Sequence, residues 1–125
     1  MGKKGQKIIV AEDDKFMAKV YREKLRDEGY DVEIAYDGEE SLEKVNKFKP
    51  NLVILDMIMP KRNGFEVLKA IKDNPETKAI PVIILSNLGQ LSDSDKGKQL
   101  GAIDYIIKGE ESFKSVMEKV KKYLI

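Results

Sequence analysis

A small set of polar residues in this chain has types and positions that could do chemistry together. Glu12-Asp13-Asp14 is a run of carboxylates, and Asp56 closes the apolar run Leu52-Val53-Ile54-Leu55. Ser86 follows Val82-Ile83-Ile84-Leu85, and Lys108 follows Tyr105-Ile106-Ile107. Taken singly, each has a plain structural role. An acidic run caps a helix, an aspartate or serine starts a turn, and a lysine is solvated. Taken together they make carboxylates, a hydroxyl and an ammonium group. Crowded carboxylates raise one another's pKa values unless a cation is present. All-oxygen ligation suits Mg²⁺, which keeps some of its waters and reaches outward to phosphate. Lys108 offers a point charge for a phosphoryl oxygen and Ser86 a hydrogen bond to another. Asp56 then reads as a nucleophile that forms an acyl phosphate by in-line displacement.

That chemistry requires the residues to meet, so the elements between them matter. Lys7 to Ala11 reads as a short apolar strand, with Asp14 placed to cap a helix beginning at Lys15. Phe16, Met17, Val20, Tyr21 and Leu25 recur at helical spacing until Gly29. Asp31 to Ala35 is a weaker strand, and the turn at Asp37-Gly38 opens a helix carrying Leu42 and Val45. Leu52 to Leu55, bounded by Pro50 and Pro60, reads as a strand buried on both faces, because such strands are continuously apolar rather than alternating. A helix from Gly64 carries Phe65, Leu68 and Ile71 and breaks at Asn74-Pro75. Pro81 to Leu85 is a second fully apolar strand. The next helix, Ser92 to Leu100, is weak because Gly97 sits within it. Ala102 to Ile107 is the last strand, and Phe113, Val116, Met117, Val120 and Leu124 mark the last helix.

Strand and helix therefore alternate at the spacing of a βα unit. Right-handed crossovers that cover both faces give a doubly wound five-stranded parallel sheet with helices on both faces. All strand carboxyl ends of such a sheet open on one edge, where ligands bind. This places Glu12, Asp13, Asp56, Ser86 and Lys108 at one cleft. Residues 1–6 are expected to be a flexible N-terminal segment and 7–125 the domain.

Composition narrows the chemistry further. The 125 residues include no cysteine and no histidine, which excludes disulfides, thiolate chemistry and a histidine-based triad. With 23 basic and 22 acidic residues the net charge is +1, so no basic face for direct nucleic-acid contact is expected. No stretch reaches membrane-spanning length, and a cytoplasmic location is expected.

The sequence resembles a receiver domain of the bacterial two-component response regulators, of the stand-alone, single-domain type. The resemblance rests on Ile9-Val10-Ala11-Glu12-Asp13-Asp14, on Asp56-Met57-Ile58-Met59-Pro60 followed by Gly64, on Ser86 and on Lys108. It implies the flavodoxin-like (βα)5 receiver fold, with Asp56 as acceptor of phosphate from a partner's phosphohistidine. It also implies Mg²⁺ held by Glu12, Asp13, Asp56 and the Ile58 backbone carbonyl, with Lys108 on the phosphoryl group. Ser86 and Tyr105 would form the switch that follows phosphorylation. The partners implied are a histidine kinase or histidine phosphotransfer protein and a downstream protein target. A phosphorylation-dependent homodimer through the fourth helix, fifth strand and fifth helix is a further expectation. Such a chain catalyses its own phosphotransfer and a slow autodephosphorylation without being a conventional enzyme. Ile58 and Leu88, each two residues beyond a site residue, would flank the attacking water and tune that loss.

Three positions depart from the family pattern: Asn87 follows Ser86, Gly109 stands where proline usually follows the lysine, and the first acidic position is Glu12, which would hold the metal through water rather than directly. The competing readings are a receiver-like interaction module or idealised scaffold that never carries phosphate, and a flavodoxin-like cofactor binder. The acidic cleft, and the lack of a glycine-rich phosphate loop after the first strand, weigh against the last.

Overall fold

The computed structural model describes residues 5–87 and 91–124, with only the backbone described for Leu91 and Ser92. Ten elements alternate along the chain. The strands are β1 (Lys7–Ala11), β2 (Asp31–Ala35), β3 (Leu52–Leu55), β4 (Val82–Ser86) and β5 (Asp104–Ile107). The helices are α1 (Lys15–Asp27), α2 (Gly38–Phe48), α3 (Gly64–Asp73), α4 (Leu91–Gln99) and α5 (Phe113–Tyr123). All strand pairs are parallel, in the order β2-β1-β3-β4-β5. The chain reverses its direction of winding after β2, so β1 and β3 lie side by side at the centre.

Side-chain alternation along the strands divides the core into two layers. Ile8, Val10, Leu52, Ile54, Ile83, Leu85 and Ile106 point toward α1 and α5, where Tyr21, Leu25, Val116 and Val120 meet them. Ile9, Ala11, Val53, Leu55 and Ile84 point the other way, toward Val45, Val67, Leu68 and Ile71 of α2 and α3. β1, β3 and β4 are buried on both faces almost throughout, which is why their sequences are unbroken apolar runs.

Helix starts follow local chemistry. The Asp14 carboxylate accepts from the Phe16 and Met17 amides at 3.0 and 3.2 Å. Asn63 and Glu66 close a reciprocal capping box on α3, and Ser112 caps α5. Several element ends differ from the sequence reading, and β4 runs Val82–Ser86 rather than Pro81–Leu85. β5 begins at Asp104 rather than Ala102, because the Ala102 N–H still bonds to the Gly97 carbonyl at the end of α4. α4 runs from Leu91 to Gln99. Its Gly97 is buried, and a Cβ there would press on Ile84 and the Tyr105 ring. At the N-terminal side, the Gln6 side-chain amide donates to the Leu124 carbonyl at 3.0 Å.

Candidate functional site

Three backbone bonds bring the strand ends together. The Glu12 N–H donates to the Ala35 carbonyl, the Asp56 N–H to the Ala11 carbonyl, and the Lys108 N–H to the Ser86 carbonyl, at 2.8–3.0 Å. Each extends a parallel ladder by one residue, so the polar residue emerges where pairing stops. Glu12, Asp13, Asp14, Asp56, Ile58, Asn87 and Lys108 line one open depression of about 290 Å³. Gly64 lets α3 begin hard against it. A side chain there would collide with the Asp56 carbonyl and Met57, while the Gly64 N–H donates to the Met57 carbonyl at 2.9 Å.

Within the depression Lys108 bridges two carboxylates. Its ammonium donates to Asp56 Oδ2 at 3.0 Å and forms a short charged hydrogen bond to Glu12 Oε1. Glu12 and Asp56 are buried and Asp13 is exposed. The second Asp56 oxygen accepts from the Ile58 N–H at 3.2 Å, and Glu12 Oε2 accepts from the Asp14 N–H at 3.2 Å. One oxygen from each of Glu12, Asp13 and Asp56 lies within 4.8 Å of the others. That donor set, hard oxygens with one exposed member facing solvent, fits a hydrated Mg²⁺ ion.

Titration follows from this geometry. Burial pushes the Glu12 carboxyl up to about 7; the Lys108 hydrogen bond opposes the rise and the Asp56 charge adds to it. Burial is thus a larger cause than carboxylate crowding. Burial by itself would lower the Lys108 ammonium, but its hydrogen bonds to Glu12 and Asp56 outweigh that and raise it.

Ser86 and Tyr105 sit behind the depression. Both are buried, and the Ser86 hydroxyl hydrogen-bonds with the Tyr105 phenol, whose pKa burial raises. The Ser86 backbone carbonyl accepts from the Lys108 N–H. Ile58 stands at the rim with its side chain 57% exposed. Leu88, its expected counterpart, lies outside the described residues. Gly109 adopts φ +83°, a conformation glycine takes without strain, and the Lys108–Gly109 peptide is trans. Sequence reasoning counted Tyr21 only as part of the apolar stripe of α1. In the fold its phenol lies in the field of Lys108, Glu12 and Asp56.

Comparison with known proteins agrees with this arrangement. Residues 8–121 match the response regulator receiver domain family. The chain belongs to that family, the receiver domains of two-component response regulators. Among its relatives is the transcriptional regulatory protein DltR of Streptococcus agalactiae, 39% identical over 107 residues, covering 85% of this chain and 46% of the relative. The chain spans about half the length of the curated relatives it matches. Its fold is similar to the Francisella response regulator 1452 receiver domain, with TM-score 0.88 and 30% identity, covering 95% and 96% of the two chains. It is likewise similar to the Vibrio cholerae chemotaxis protein CheY4, with TM-score 0.88 and 28% identity, covering 95% and 98%. Among the described residues no helix is long and apolar enough to cross a membrane.

Proposed function

We propose that Asp56 is the phosphoacceptor of this receiver domain, and that residues 7–125 form the receiver unit. The observation that carries the proposal is the bridge from Lys108 to Asp56 and Glu12 across one acidic depression. A carboxylate oxygen of Asp56 attacks the phosphorus of a partner's phosphohistidine. The P–O bond forms as the P–N bond breaks, and the imidazole leaves and takes up a proton. Lys108 holds the carboxylate in place and has a third N–H to give to a phosphoryl oxygen. Glu12, Asp13, Asp56 and the Ile58 carbonyl would hold Mg²⁺, which when bound neutralises charge between carboxylates and phosphoryl oxygens. Ser86 leaves Tyr105 to meet the new phosphoryl group, and Tyr105 then repacks beside α4.

The donor on this reading is a histidine kinase or histidine phosphotransfer protein in the cytoplasm. The face of α4, β5 and α5, with exposed Ile103 at its edge, meets the downstream protein or a second copy. Intact mass after incubation with acetyl phosphate and Mg²⁺ tests the core of the proposal. One phosphoryl adduct is expected in wild type and none in Asp56→Asn. An adduct that forms equally in EDTA, or persists in Asp56→Asn, refutes it.

A further inference from the structure

The loop between β3 and α3, residues 56–63, carries the Ile58 carbonyl, and one of its turns is strained. The Arg62 N–H donates to the Pro60 carbonyl at 2.8 Å, two residues back, with Lys61 between them at φ +70°. That is the γ-turn with positive φ, a rare conformation that costs energy in any residue with a Cβ. Lys49 is the other non-glycine residue with positive φ among the described residues. It closes α2 in a left-handed cap, where such angles are common. Lys61 ends no helix, so something outside the turn must hold it.

α2 supplies the hold. The Gly38 N–H, first in that helix, donates to the same Pro60 carbonyl at 3.2 Å. Gly38 is buried, and a Cβ on it would lie 2.2 Å from the Arg62 carbonyl oxygen, so α2 begins flush against the turn. Lys61 also reaches Asp37, the cap of α2, at 3.6 Å. The Lys61 side chain is 58% exposed, and such an ion pair contributes little. Backbone contact, not charge, therefore holds the turn. On either side of it the loop is tied to the site. The Ile58 N–H donates to Asp56 at 3.2 Å, and the Gly64 N–H to the Met57 carbonyl at 2.9 Å.

We infer that Gly38 and Lys61 are positioning residues: α2 holds the strained turn at Lys61, and through it keeps Ile58 in place over the acidic depression. The consequence for metal affinity rests on the reading of that depression as a Mg²⁺ site; the consequence for the loop does not.

Lys61→Gly and Lys61→Val separate backbone from side chain. Both remove the ammonium group at an open position, so neither disturbs packing. Glycine takes φ +70° freely, whereas a β-branched residue there is a severe outlier. The first readout is amide hydrogen exchange at Ile58 and Gly64 in the full chain in EDTA. It should quicken at least about five-fold in Lys61→Val, the lower end of what one strained residue gives. It should keep the wild-type rate in Lys61→Gly. Gly38→Ala should act like Lys61→Val. The second readout is a Mg²⁺ titration followed by amide NMR. Affinity should fall about ten-fold in Lys61→Val, as for other residues that support a metal ligand, and should be unchanged in Lys61→Gly. Exchange unchanged by Lys61→Val, exchange quickened equally by Lys61→Gly, or Mg²⁺ affinity equal in all three would overturn the proposal. Should Gly38→Ala fail to fold, the two Lys61 variants still decide it. A wild type that takes up no Mg²⁺ would refute the metal reading instead, and the exchange result would stand.

Discussion

Glu12 should make the stability of the metal-free protein depend on pH across the neutral range. Its carboxyl is 2% exposed, and burial raises its pKa from the ordinary 4.5 to about 7. The native state therefore keeps a proton that the unfolded chain has already released. By linkage the resulting stability is fully present below pH 4.5 and is lost as pH rises through about 7. The gap between 4.5 and about 7, at about 1.4 kcal/mol per pH unit, amounts to about 3 kcal/mol. For a chain of this length that is a melting shift of about 10 °C.

Glu12→Gln keeps the size of the side chain and an acceptor for Lys108 but has no proton to lose. Melting wild type and variant in EDTA between pH 4.5 and 8 isolates the effect, because the other carboxylates are common to both. The two curves should converge near pH 4.5, separate as pH rises from there to about 7, and run parallel above that, with wild type below the variant. Mg²⁺ favours the ionised carboxylate and should flatten the wild-type curve. Curves parallel over the whole range in EDTA would mean that the Lys108 hydrogen bond outweighs burial and that Glu12 is ionised in the fold throughout. The account of the site's charge would then fail.

The acyl phosphate at Asp56 should be long-lived, because Ile58 at the rim is apolar and cannot orient a water. Ile58→Asn with Leu88→Glu should shorten its lifetime in a mass-resolved decay, and equal lifetimes would remove the role given to these positions. Gly97→Ala gains about 1 kcal/mol of helix propensity. It also forces a methyl against fully buried Ile84 and the Tyr105 ring, and overpacking of that kind costs about 1–3 kcal/mol. A net loss of about 1 kcal/mol in urea denaturation is expected, and a stabilised variant would show that α4 can draw back without cost.

The strands at the centre of the sheet were legible because burial on both faces leaves an unbroken apolar run, as in Leu52–Leu55 and Val82–Leu85. The site was legible for a related reason. Once the winding is known, a polar residue directly after such a run must stand at the strand's carboxyl end, and Glu12, Asp56 and Lys108 all do. What sequence could not supply was contact across the fold. Gly97 reads as a weakness of α4, yet its lack of a side chain is what lets α4 close on Ile84 and Tyr105. Ala102 and Ile103 extend an apolar run, but Ala102 still belongs to the hydrogen bonding of the preceding helix, and β5 starts after it. Tyr21 fits the helical stripe as well as a leucine would. Only the packing places its phenol in the field of Lys108, Glu12 and Asp56.

The charge of the site links its stability to its chemistry. With Glu12, Asp13 and Asp56 ionised, Lys108 leaves a net charge of about −2 where a phosphoryl group, itself anionic, must arrive. Lys108 cannot resolve this alone. Two of its three N–H donors are held by Glu12 and Asp56, so it can offer one more hydrogen bond but no additional charge. A proton on Glu12 removes one negative charge, and burial favours that in the metal-free fold. A divalent cation removes two, and it competes with the proton for the same carboxylate. The metal-free depression is therefore most stable with a proton on Glu12, the proton that Mg²⁺ must displace to bind there. Mg²⁺ should displace the Glu12 proton as it makes the site competent, so Mg²⁺ affinity should rise with pH through about 7, the range in which Glu12 titrates.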